Sequence, residues 1–196
     1  MPDFARHLDD YVPEQLKQLN LPGTAIALIE NGQPVSYKCY GLADVASGRP
    51  IDTDTLFQIA SISKSVAAWG VMLLVDRGLL DLDRPINDYL TRWKIPGGEY
   101  DANAVTPRLL LMHFGGTSMS GCAGVPYGHS EYSIENILNG HIPGLDAEQL
   151  KYAKRWGVDP EAYGNPVILI NEPGSTCEYS GGGLTILELL VEELSG

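Results

Sequence analysis

The sequence predicts an α+β protein, in which a helix and a short antiparallel hairpin lead into a longer, mainly helical region. Three observations predict it. Asn31-Gly32, a pair favoured in two-residue hairpin turns, separates two strand-like runs, Thr24–Ile29 and Val35–Tyr40. Ser63–Asp76 and Gly183–Leu194 carry apolar residues at helical spacing, and Gly78 stands where a helix would end. At 196 residues, 44% hydrophobic and 19% charged, the chain is long and apolar enough for one ordinary domain with a core.

Taken in order, residues 3–19 place Phe4, Leu8, Tyr11, Leu16 and Leu19 on one side of an amphipathic helix, interrupted near Pro13. The hairpin follows, and residues 41–54, rich in Gly, Asp and Pro, read as a loop. The helix from about Ser63 turns Val66, Trp69, Gly70, Leu73 and Leu74 to its apolar side. Residues 80–89 read as a second, short helical segment. Thr106-Pro107 reads as a cap with proline at the first helical position, giving a helix to about His113. Residues 115–130 form a Gly- and Ser-rich loop long enough to carry function. Ser133–Asn139 and Ala147–Trp156 read as short helices, and Val167–Ile170 as a short strand.

Composition narrows the function. A net charge of −12 argues against nucleic acid or an anionic membrane as the main partner. No apolar run reaches the length of a membrane span, and the N-terminus has no basic patch followed by an apolar core. No secretory signal is read, and a cytoplasmic location is expected. Cys39, Cys122 and Cys177 are far apart and read as reduced thiols, while His7, His113, His129 and His141 form no metal motif.

Chemistry concentrates at Ser61 and Lys64. On a helix, positions i and i+3 share a face, so the lysine amine can fold back onto the serine hydroxyl, giving a nucleophile and a proton acceptor without histidine. At a helix N-terminus, unpaired amides would favour negative charge on that oxygen. By itself the pair reads rather as a helix cap and a surface lysine, and Tyr179 as a core tyrosine before a Gly-rich turn.

The surrounding segments decide between these readings. Gly41-Leu42-Ala43-Asp44, Asp54-Thr55-Leu56-Phe57, Ile59-Ala60-Ser61-Ile62-Ser63-Lys64 and Gly78–Pro85 occur in order. Val105–Leu110 with His113, Glu172-Pro173-Gly174-Ser175 and Tyr179-Ser180-Gly181-Gly182-Gly183 follow. Together they resemble the serine β-lactamase and penicillin-binding-protein-like superfamily, in its class C, DD-peptidase and esterase branch. The resemblance runs from about residue 20 to residue 196. It implies a β-lactamase/transpeptidase-like fold: an antiparallel sheet flanked by helices, plus a mainly helical subdomain. Residues 1–60 would supply the helix and hairpin of the sheet region, 61–182 the helical subdomain with the active-site motifs, and 183–196 a further helix, all within one domain.

The same resemblance implies roles. Ser61 would be the acylated nucleophile, with its own amide as one oxyanion donor. Lys64 would take or hold the proton, and Tyr179 would relay it between serine, lysine and leaving group. Gly181 and Tyr127 would contact substrate, and His113 would have a structural role. No metal or organic cofactor is implied. Gly181 stands where class C relatives have asparagine, which weakens the case for β-lactam hydrolysis, and Tyr-Ser-Gly-Gly-Gly looks like an esterase- or peptidase-like subgroup. Phe114-Gly115-Gly116 replaces the family's Thr-Ser-Gly. The family's third motif, Lys-Thr-Gly or His-x-Gly on a later strand, is missing. The expectation is therefore the N-terminal part of a longer, cleaved or split enzyme, with a C-terminal complementary segment as partner. Without it the chain would lack half its oxyanion hole, worth about 10²–10³ in rate.

The expected function is a serine hydrolase acting on a small-molecule ester or amide through an acyl-serine intermediate. The alternative is a catalytically weak or inactive binding protein of the same fold. A histidine-assisted hydrolase using His113 or His129 is a third reading, but it lacks a Gly-x-Ser-x-Gly elbow.

Overall fold

The computed structural model describes residues 2–118, 133–141 and 164–196. The expected helix Ala147–Trp156, together with Cys122, Tyr127 and His129, lies outside the described residues. The chain forms two compact units, Met1–Ile59 and Ala60–Gly196.

In the first unit, helix α1 (Pro2–Gln18) precedes strands β1 (Gly23–Glu30), β2 (Gln33–Asp44) and β3 (Arg49–Pro50), which form one antiparallel sheet in the order β1-β2-β3. Asn31 and Gly32 both take positive φ, 50° and 73°, as a twist-matched two-residue turn requires, and Glu30 pairs with Gln33 across it. Helix α1 runs through Pro13 without the expected interruption. Proline removes one donor but fixes φ near the helical value. Anchors just before it hold the helix: Val12 is buried, and the Asp9 carboxylate accepts from Lys38 Nζ at 2.9 and 2.7 Å and from Tyr40 Oη at 2.8 Å.

The loop expected over 41–54 is in part a second hairpin. Strand β2 continues to Asp44, whose carboxylate accepts from Ala46 N and Ser47 Oγ and turns the chain back into β3. Strand β3 leaves no signal in the sequence, being only two residues long and containing a proline.

The second unit is helical: α2 (Ser63–Asp76), α3 (Pro107–Leu111), α4 (Ile134–Leu138) and α5 (Gly181–Ser195), with 3₁₀ turns at Ala60–Ile62, Ile86–Asp88 and Ala102–Ala104. The expected segment over 80–89 is thus a 3₁₀ turn at its end. Leu79 N donates to Leu74 O and Gly78 N to Val75 O, with Gly78 at φ 70°, and this closes α2. Thr106 Oγ1 accepts from Leu109 N and Ser133 Oγ from Asn136 N, the caps that start α3 and α4. The expected strand 167–170 reduces to one antiparallel bridge, Thr117 with Leu169.

Helix α5 is the centre of this unit. Leu184, Ile186, Leu187, Leu189 and Leu190 are buried around most of its circumference, and α2, α3 and α4 all pack on it. The face that α2 turns to this core overlaps the expected one only at Leu74 and at Gly70, where an added Cβ would lie 3.5 Å from Val191 of α5. Val71 and Leu74 are buried, whereas Val66, Trp69 and Leu73 are exposed. Helix α2 is apolar almost all round, so periodicity identified a helix but not which side α5 would cover.

Candidate active site

Ser61 lies in the 3₁₀ turn that leads into α2, and Ala60 before it takes φ 45°, a left-handed conformation that costs an L-residue about 1–2 kcal/mol. The turn presents the Ser61 hydroxyl at the surface, one helical step from Lys64 in the first turn of α2. Lys64 Nζ donates to Ser61 Oγ at 3.2 Å. Tyr179 arrives from a distant segment, and its Oη lies 2.6 Å from Ser61 Oγ. Lys64 Nζ also stands 4.9 Å from the centre of the Tyr179 ring. The structure therefore brings Ser61, Lys64 and Tyr179 into one cluster, with Ser61 exposed and Tyr179 about half exposed.

Tyr179 is held from both sides. Gly174 N donates to Phe114 O at 2.8 Å, Glu178 N to His113 O at 2.8 Å and Ser180 N to His113 Nδ1 at 3.3 Å. Asn171 Nδ2 donates to the Glu178 carboxylate at 2.7 Å. Ser180 then caps α5. Its Oγ accepts from Gly183 N and from Thr117 Oγ1, and donates to Ser118 O, each at 2.9 Å. The helix start can approach this closely because Gly182 and Gly183 have no side chains. A Cβ on Gly182 would sit 2.7 Å from Ser118 O, and one on Gly183 would sit 2.9 Å from Thr117 Oγ1. Gly181 is buried as the first residue of α5, and its carbonyl accepts from Thr185 Oγ1. It offers no side chain to a substrate.

The electrostatics favour an ionisable phenol. The Lys64 ammonium beside it, and then the hydrogen bond from Ser61, hold Tyr179 below the usual phenol value, against a smaller opposing effect of burial. The ring of His113 packs on Tyr179 with centroids 4.7 Å apart and planes tilted by 39°. Burial, and secondarily the Lys64 charge, hold His113 below its ordinary value. Among the described residues, no group of three or more His, Cys, Asp and Glu side chains is arranged to hold a metal ion, and no helix is long and apolar enough to cross a membrane.

The arrangement offers a hydroxyl nucleophile, an adjacent phenol able to exchange its proton, and a cation able to stabilise the phenolate. Ser61, Lys64 and Tyr179 are the residues that the sequence motifs single out. The motifs do not give Ser180 its place as the hub of the α5 cap, for which Ser180 three residues before Gly183 was the available signal.

Comparison with known proteins places the chain in a family. The family model described as Beta-lactamase matches residues 8–196. The chain belongs to the Beta-lactamase family. Esterase EstB of Burkholderia gladioli is 34% identical over 113 residues, which cover 58% of this chain and 29% of the esterase. Penicillin-binding protein 4* of Bacillus subtilis is 37% identical over 174 residues, covering 89% of this chain and 33% of that protein. Among solved structures, the octameric penicillin-binding protein homologue from Pyrococcus abyssi superposes with a TM-score of 0.63 at 26% identity, covering 98% of this chain and 39% of that one. The D-amino acid amidase from Ochrobactrum anthropi, complexed with L-phenylalanine, gives 0.61 at 25% identity, covering 93% and 43%. The β-lactamase/transpeptidase-like fold expected from the sequence is thereby established. The chain spans about a third or less of the length of these two curated relatives.

Proposed function

We propose that this chain carries the nucleophilic centre of a serine hydrolase that cleaves small-molecule esters or amides through an acyl-serine intermediate. The observation that carries the reading is the 2.6 Å contact of Ser61 Oγ with Tyr179 Oη, with Lys64 Nζ 3.2 Å from the same hydroxyl. The relatives named for esterase and amidase activity are in keeping with it.

In this mechanism Ser61 Oγ attacks the substrate carbonyl carbon, and a new O–C bond forms as the serine proton passes to Tyr179 Oη. The Lys64 ammonium stabilises the phenolate that accepts it. Collapse of the tetrahedral adduct breaks the bond to the leaving alcohol or amine, which takes the proton back from Tyr179. Water then attacks the acyl-serine carbonyl and gives a proton to Tyr179. Ser61 recovers that proton as the carboxylic acid departs. The contribution of such positioned proton transfer is about 10²–10⁴ in rate.

The reading includes a complementary region, expected C-terminal to these motifs and corresponding to part of the further length of the relatives. Its docking surface on this unit is the outer face of α2. Ile62, Val66, Trp69, Met72 and Leu73 are all exposed there, Trp69 by 75%, around a shallow hollow of about 280 Å³ lined by Trp69, Met72 and Leu73.

Turnover of chromogenic acetate esters, amino-acid anilides and a chromogenic cephalosporin tests the reading, using the chain alone and joined to the corresponding region of a relative. Ester or amide turnover that vanishes in Ser61→Ala is expected, with weak cephalosporin turnover because Gly181 offers no amide side chain. Turnover unchanged in Ser61→Ala would overturn Ser61 as the nucleophile, and none in the joined protein would instead favour a binding protein of this fold.

A further inference from the structure

We infer that His113 is the positioning residue for Tyr179: in its neutral form it clamps the residues on both sides of the tyrosine and supports the ring of the phenol that serves Ser61. The inference rests on the reading of Ser61 as nucleophile, and it assigns His113 no proton transfer.

His113 takes φ 60°, a conformation uncommon for a residue other than glycine, held here by surrounding contacts. Its N donates to Leu110 O at 3.1 Å and its carbonyl accepts from Glu178 N at 2.8 Å. Its Nδ1 accepts from Ser180 N at 3.3 Å. The residues before and after Tyr179 are thus both tied to this one histidine, while its ring lies against the phenol itself. A backbone N–H can bond to Nδ1 only if that nitrogen carries no proton, so the ring is the neutral tautomer with hydrogen on Nε2.

The charged groups around the ring favour the same state. Lys64 faces it from α2 and opposes a second positive charge. Tyr179 packs on it from the segment before α5, while Glu178 meets His113 through its backbone N and has its carboxylate engaged by Asn171 Nδ2. On its own side, Arg108 of α3 is paired with Asp83. As pH falls through the lowered His113 value, Nδ1 gains a proton and can no longer accept from Ser180 N. A cation then forms beside Lys64, and the clamp on Tyr179 opens. Ser61 reactivity should therefore have an acid limb that belongs to His113, separate from the limb set at higher pH by Tyr179.

The test uses the full chain in two arms. In the first, ¹⁵N-histidine NMR reads the His113 tautomer and its titration beside the Tyr179 ring resonances. The Nε2–H tautomer at neutral pH is expected, with Tyr179 signals following the His113 titration. An Nδ1–H tautomer, or a Tyr179 indifferent to that titration, overturns the inference. In the second, the rate of fluorophosphonate labelling of Ser61 is followed from pH 5 to 9. His113→Ala should slow labelling by about 10- to 10²-fold, the scale of a misplaced catalytic group. His113→Asn, which tolerates the backbone angle and presents an oxygen to Ser180 N, should restore most of the rate and abolish the acid limb. Labelling of His113→Ala at the wild-type rate, an unchanged acid limb in His113→Asn, or an asparagine variant as slow as alanine each overturns it. If wild-type Ser61 labels neither alone nor with the complementary region, the hydrolase reading falls, and the NMR arm still decides whether His113 clamps Tyr179.

Discussion

At the scale of single residues, the account depends on one proton exchanged between Ser61 and Tyr179 beside the Lys64 cation. Tyr179→Phe keeps the ring packed on His113 but removes the oxygen 2.6 Å from Ser61, so labelling of Ser61 should fall by about 10²–10⁴ with the fold intact by circular dichroism. The phenol's ionisation sets the alkaline-side dependence. With its value lowered chiefly by Lys64, the reactive phenolate accumulates as pH rises toward that value, on a limb below the ordinary phenol near pH 10. Lys64→Gln should move the limb upward, as a pH-rate series on both proteins would show. Ser61 and Lys64 are suggested by a spacing that is itself a geometry, and the motifs around them single that pair out. Tyr179 was legible only through the order of motifs, and the clamp from His113 was not, because it depends on a left-handed turn joining segments far apart in the chain.

At the scale of elements, the close start of α5 has a measurable cost of disturbance. Gly183→Ala would press a Cβ to 2.9 Å from Thr117 Oγ1 and 3.3 Å from Leu110 Cδ2, and should destabilise by about 1–3 kcal/mol in urea unfolding. The far end of the same helix is tied down by Glu193, whose side chain is 6% exposed. Its carboxylate accepts from Thr91 N at 2.6 Å and Arg92 N at 2.9 Å. Burial pushes this carboxyl up, but the hydrogen bonds from Arg92 and Thr91 outweigh it and hold it below the usual range. A lowered folded value means the contribution is complete above the ordinary glutamate value and fades as pH falls through the lowered one. Glu193→Ala should therefore cost about 1–3 kcal/mol at neutral pH, with the difference from wild type shrinking below about pH 4. Caps and stops such as Thr106, Ser133 and Gly78 were readable because each satisfies local backbone groups. The inward face of α2 was readable only at Leu74, since its apolar residues surround the helix and the position of α5 is what selects Val71 over Val66, Trp69 and Leu73.

At the scale of the whole molecule, the fold class and family were legible because many weak motifs occur in one order, while strand β3 was too short to register. The outer face of α2 leads to a further expectation. Trp69→Gln, at a side chain 75% exposed, should alter the stability of this chain by no more than about 0.5 kcal/mol, yet weaken its association with the complementary region in a binding titration. The central claim is that Ser61 is the nucleophile. Intact-mass spectrometry after fluorophosphonate treatment, on the chain with and without the complementary region, tests it most directly. One adduct on Ser61, lost in Ser61→Ala and suppressed in Lys64→Ala, is the predicted result. An adduct on any other residue, undiminished labelling in Ser61→Ala, or no adduct on the folded protein in either preparation would contradict it.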